Sequence, residues 1–384
     1  MPQIVQRLEP EPHAARGLAL FALGFRPFYL LAGIFAALSV PLWAAQYAGW
    51  LPSLGMLWHA HEMLFGYALA VMAGFLLTAV RTWTGQPTPS GAALATLAAL
   101  WLVARVLAGL SLTFAAAAAD TAFVLGLAFG IGRPLVRSGN RRNYFFIALV
   151  LALGGAGLAF YVWPQTALAV GLDMVLFVMA VVTGRVVPMF TNNGVPGAGA
   201  RRTPWLERAA LGALLALLAL DALDLPRAAA LVALAAAALH GARLALWNPQ
   251  RTFGAPLVWI LHASYAWIVV HLALRALAGF DFLPMPLATH ALTVGAIGGL
   301  TLGMMTRTAR GHTARPLIAG RAEIACYLLL QAAAVSRVLL PLAWPAAYAA
   351  GSALGAVFWS AAFVVFVAAY APILTRPRLD GQPG

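Results

Sequence analysis

Two imidazoles, a carboxylate and a thioether stand together in Trp58-His59-Ala60-His61-Glu62-Met63, at the mouth of an apolar run that continues to about Val80. Neutral imidazole ligates iron and copper, and a thioether favours copper in its reduced state. A carboxylate beside them carries protons or hydrogen-bonds a ligating ring and fixes its tautomer. In a chain that is 62% hydrophobic and 9% charged, such groups are expensive in or near lipid unless they bind something. At about 100° per residue, His59 and His61 point to opposite sides of a regular helix, and His59 shares a face with Glu62 and Met63. One ion is gripped by both rings only if the first turn is unwound; otherwise the pair serves two centres on two sides.

The elements that must position these groups are membrane helices. Mean hydropathy is +0.86 over 384 residues, and apolar runs of about 20 residues match a hydrocarbon layer about 30 Å thick. The pattern predicts an all-α polytopic bundle in one integral membrane domain over 1–384: a cytoplasmic arm (1–17), a bundle (18–375) and a tail (376–384). Twelve transmembrane helices are expected near 25–46, 57–80, 91–110, 113–132, 143–162, 166–189, 205–221, 227–246, 255–278, 285–306, 322–342 and 347–371. The seventh is the weakest, because Asp221 and Asp224 crowd its end. Arginines flank alternate connections: Arg81 follows the second span, Arg133 to Arg142 the fourth, Arg201 to Arg208 the sixth, Arg307 to Arg321 the tenth, and Arg376 and Arg378 the twelfth. Both termini are therefore expected in the cytoplasm.

Other classes fall away. The net charge of +13 comes from arginine without any lysine, placed between apolar spans, so its partner is the lipid bilayer and not nucleic acid. Cys326 is the only cysteine, which excludes an intrachain disulfide and any cysteine-built cluster. The arm holds Glu9, Pro10, Glu11 and Pro12 and reads as a soluble segment, not a signal peptide. Gly-rich phosphate loops, a Ser-His-Asp set and strand–helix alternation are missing, so soluble nucleotide chemistry is out.

With that orientation His59, His61, His271 and His290 share one depth near the periplasmic face, and His262 lies roughly 13 Å deeper. His240 is expected to be a hydrogen bond between helices, Trp58 to belong to the interfacial belt, Asp173 to need a partner, and Arg105 with Asp120 to neutralise each other. His61, Gly66, Gly74, Arg81, Thr84 and Pro87 recur at one offset as His290, Gly295, Gly303, Arg310, Thr313 and Pro316, so the second and tenth helices are expected to play parallel roles. Gly295, Gly299 and Gly303 form a seam for a close neighbour. Arg26 and Arg185, embedded in apolar sequence, are candidates to hold an anion such as a haem propionate.

Gly24-Phe25-Arg26-Pro27-Phe28, Trp58 to Gly66, Ala73 to Val80, Trp83-Thr84-Gly85, Gly184-Arg185-Val186-Val187-Pro188, His290 to Gly295 and Gly311-His312-Thr313 resemble the signature stretches of the NnrS family, in that family's order. The resemblance implies a bacterial inner-membrane protein that contains haem and copper, is associated with denitrification and helps cells withstand nitric oxide. The resemblance carries His59, His61 and His290 by motif; His262 and His271 join them as candidate metal ligands by depth and chemistry, with Met63 as a further copper ligand and Glu62 as the proton-carrying or ring-orienting group. Nitric oxide is the small ligand, and electrons come from an unidentified donor. Binding without turnover stays open, as does a transporter of a metal, metal complex or small anion.

Overall fold

The computed structural model of the chain describes residues 17–51, 54–55 and 57–382. The arm with Arg7, His13 and Arg16 lies outside the described residues, apart from Gly17. Among those described there are twelve long helices and no strand: α1 (Phe25–Tyr47), α2 (Trp58–Thr84), α3 (Gly91–Gly109), α4 (Thr113–Arg137), α5 (Phe145–Ala159), α6 (Pro164–Gly194), α7 (Pro204–Ala222), α8 (Pro226–Leu246), α9 (Pro256–Gly279), α10 (Met285–His312), α11 (Arg321–Ala343) and α12 (Tyr348–Thr375). A helix stands at each of the twelve expected positions. Several helices overrun their apolar stretch, as when α2 continues to Thr84 and α10 to His312. Backbone groups that must be satisfied in an apolar surrounding keep the helix going where hydropathy falls.

Eleven of these helices are long and apolar enough to cross a membrane. The other, α7, carries Glu207, Arg208 and Asp221 within 19 residues. Two of those charges are neutralised inside the bundle: Glu207 meets Arg243 of α8 at 2.9 Å, and Asp221 pairs with Arg275 of α9. The residues that make α7 look least like a membrane helix are thus the ones that tie it to its neighbours.

The most buried helices are α2 and α10, with 83% and 72% of their apolar windows inside the structure. They touch where Tyr67 and Thr301 share a 2.7 Å hydrogen bond. Around them α1 packs on α2 and α12, α9 on α8 and α10, and α11 on α12. The glycine seam of α10 receives α9: Gly295 lies against Trp267, Gly299 against Ser264 and Gly303 against Leu261. The start of α1 and the end of α12 meet, since the Ala19 N–H donates to the Thr375 carbonyl at 2.8 Å. Both therefore lie at the arginine-rich end.

A π-helical turn follows directly on His61 in α2 (Glu62–Ala68) and on His290 in α10 (Ala291–Gly298). The two turns start at the offset that relates His61 to His290, so the sequence echo has a backbone counterpart. A third, Val335–Leu339, lies in α11. Such turns hold an extra residue and re-aim the side chains on either side of them.

Candidate functional site

His59 and His61 diverge as helical geometry requires. His59 stacks on Trp43 of α1 with centroids 4.9 Å apart. It lies close enough to His290 for the two rings to interact electrostatically, and both sense the Arg337 guanidinium. His290 donates from Nδ1 to the Pro286 carbonyl at 2.7 Å; a neutral ring in that bond keeps its lone pair on Nε2. Four polar atoms at this end are buried without a hydrogen-bond partner among the described residues: His59 Nδ1, Arg337 Nη1, the Trp58 indole nitrogen and Gln46 Oε1. Trp58 thus turns its polar atom inward, which a purely interfacial belt residue does not need. One turn deeper on the His59 face, Met63 Sδ accepts from the Ser39 hydroxyl at 3.3 Å.

Glu62 sides with His61, not with His59. Its Oε1 accepts from His61 Nδ1 at 2.9 Å, its Oε2 accepts from Arg105 Nη1 at 2.9 Å, and Arg105 Nη2 reaches Asp120 Oδ1 at 2.5 Å. Helical spacing puts Glu62 on the His59 side, but its carboxylate turns to the adjacent His61 ring and to Arg105 of α3. His61 also meets the rings of Phe160 and Tyr161, at 4.7 and 5.5 Å. With Asp120 and Tyr161 it lines a crevice of about 20 Å³, room for one water-sized molecule.

The remaining histidines stand apart from one another. His271 donates from Nδ1 to the Ala288 carbonyl at 2.8 Å, and its buried Nε2 has no partner among the described residues. The Thr191 hydroxyl donates to Val187 and accepts from His262 Nε2 at 2.8 Å. His240 accepts from Tyr265 at 2.5 Å, and Tyr265 accepts from Arg243 at 2.8 Å, the interhelical link expected of it. Asp173 has its partner in Arg275, at 2.6 Å. Among the described residues no three His, Cys, Asp or Glu side chains are grouped to hold one ion. His59, His61, His262, His271 and His290 therefore do not form one five-ligand cluster. They divide into the His59–His290 pair, the Glu62-oriented His61, and two separate buried rings.

The family model for the NnrS protein matches residues 19–378 of the 384. The chain belongs to the NnrS family. No curated protein matches it. The signature stretches gather at the two ends of α2 and α10. At the histidine end are Trp58 to Gly66 and His290 to Gly295. At the other, the Phe25 N–H donates to Thr78 Oγ1 at 3.0 Å and the Phe25 ring lies 5.7 Å from His312. Trp83-Thr84-Gly85 stops α2 in this NnrS chain: Gly85 takes a left-handed conformation with φ 64°, and Trp83 stacks on Phe146 at 5.6 Å.

The two arginines singled out for an anion sit elsewhere. Arg26 donates to the Leu374 and Arg376 carbonyls at 3.1 and 2.6 Å, closing the C-terminal end of α12. Trp43, which marks the His59 site, stands near the far end of the same helix, roughly 25 Å away at 1.5 Å per residue. Arg185 donates to Asn143 at 3.0 Å and covers the Phe145 ring at 5.7 Å. Neither reaches an anion beside His59 and His290. Arg26→Ala is expected to fray the end of α12, read as faster hydrogen exchange over residues 370–375. The arginine that does reach the pair is Arg337. Its sequence signal is a lone guanidinium within Ala332 to Leu340, at the end of the bundle otherwise poor in arginine.

Proposed function

We propose that this NnrS-family chain is a haem- and copper-binding protein of the bacterial inner membrane, a single integral domain with both termini in the cytoplasm. It binds nitric oxide and turns it over reductively near the periplasmic face. The observation that carries this reading is that His59 and His290, from the two central helices, lie within electrostatic range of each other at an end where several buried polar atoms lack partners among the described residues. An orphaned buried donor or acceptor costs about 1–3 kcal/mol, so a site with several suits a group that completes them.

The residues present fit a metal centre. Trp43 fixes the plane of the His59 ring, and the Pro286 carbonyl directs the His290 lone pair to Nε2. Glu62 orients His61 toward its own crevice, which fits a second centre, and Met63 offers a thioether on the His59 side. Haem iron and copper, when bound, supply nitric oxide binding and electron transfer. Reduction also needs protons, and Glu62 with His61 lies where they would be delivered. Electrons come from a donor outside the chain. A carrier is less well supported, because alternating access favours inverted, interrupted helices, whereas α2 and α10 run in the same direction and continue through their π turns.

The test is the haem and copper content of the detergent-purified protein, with reduced-state spectra before and after nitric oxide. Stoichiometric metal and a spectral shift are expected. His59→Ala and His290→Ala should each remove an absorption band that His262→Ala retains. Folded, monodisperse protein that stays metal-free after expression with ample haem and copper would overturn the reading.

A further inference from the structure

Every buried carboxylate among the described residues already has an arginine. Glu62 and Asp120 share Arg105, Asp173 and Asp221 share Arg275, Glu207 pairs with Arg243, and Glu323 pairs with Arg310 at 2.8 Å. Arg337 is left out of that pairing. It is 9% exposed, its Nη2 donates to the Tyr348 hydroxyl at 3.1 Å, its guanidinium covers the Tyr348 ring at 4.9 Å, and its Nη1 is buried without a partner among the described residues. The π turn Val335–Leu339 carries it, and that turn packs on the first turns of α10, which hold His290. A guanidinium cannot shed its proton to escape burial. Its charge in an apolar surrounding calls for an opposite charge, and no side chain described here supplies one.

We propose that Arg337, beside His59 and His290, forms a binding site for a monovalent oxyanion or carboxylate. The unmet donor is the buried Nη1, which offers a charge-assisted hydrogen bond. Tyr348 holds the other arm of the fork, so the anion is taken through one nitrogen and a small one suffices. The anion is either free in solution or the carboxylate of a bound haem. The second source rests on the cofactor reading above; the first does not.

The experiment uses the full-length protein in detergent, with nitrite as the free-anion probe in calorimetric titration, and with haem and haem dimethyl ester as the cofactor probes. For a free anion, wild type binds nitrite saturably. Arg337→Gln then weakens binding by about tenfold or more, the factor one charge-assisted hydrogen bond carries, and Arg337→Lys recovers part of it. For a haem carboxylate, nitrite does not bind the loaded protein. Haem affinity instead falls by a similar factor in Arg337→Gln, and the dimethyl ester binds wild type no better than the variant. A protein that takes neither haem nor copper but loses nitrite binding in Arg337→Gln keeps the anion site and removes the cofactor reading. Arg337→Gln that elutes as folded protein and binds nitrite, haem and the ester as wild type does would overturn the proposal.

Discussion

Arg275→Met is expected to lower the stability of the solubilised protein by about 3–5 kcal/mol, the cost of stranding buried charge, read from unfolding followed by tryptophan fluorescence. Arg275 is held between Asp173, 1% exposed, and Asp221, and so joins α6, α7 and α9. Methionine has similar bulk and packs in the same space, but it leaves two carboxylates facing each other without a cation. Asp221→Asn should behave differently. It keeps a hydrogen-bond acceptor on Arg275 while reducing two negative charges on one guanidinium to one, so a change within about 1 kcal/mol is expected. Arg105, between Glu62 and Asp120, should repeat the asymmetry. Equal losses for Arg275→Met and Asp221→Asn would mean that the ionic attraction of each separate pair, and not the charge balance of the whole triad, sets its stability.

Hydropathy and arginine placement made the bundle legible because lipid imposes one demand, satisfaction of every backbone group, which only a long apolar helix meets here. All twelve helices could therefore be placed, although α7 looked weak in part for Asp221, which pairs with Arg275 and helps to secure it. The site was legible only where neighbours in sequence act together. The opposed directions of His59 and His61 follow from helical periodicity, and the Arg105–Asp120 pair from two costly charges on successive helices. Glu62 was placed with His59 because spacing along the helix does not show that its carboxylate reaches sideways to His61 and across to Arg105. Arg26 and Arg185 looked available because sequence does not reveal their neighbours in space: Arg26 Nη1 donates to carbonyls at the end of α12, and Arg185 Nη1 donates to Asn143. Arg337 went unnoticed because its significance depends on which carboxylates the other arginines had already taken.

The glycine seam yields the second large effect. Gly299→Val is expected to destabilise the protein by about 3 kcal/mol, the upper range for overpacking, and to disturb the histidine end at a distance. A Cβ at Gly299 would collide with Ser264 Oγ and lie 2.7 Å from Ser264 Cβ. The hydroxyl can rotate away; the Cβ is fixed to the backbone of α9, so α9 and α10 must separate. That interface also seats Trp267 over Gly295 and lets His271 reach Ala288 at 2.8 Å. Separation should therefore weaken both, visible as a change in Trp267 fluorescence and faster exchange at the start of α10. Gly212 of α7 provides the contrast, since a Cβ there meets nothing within 4 Å. Gly212→Ala should leave stability unchanged or raise it by up to about 1 kcal/mol through helix propensity. If Gly299→Val matched Gly212→Ala, the seam would be a composition effect and α10 would not need α9 to hold His290 in place.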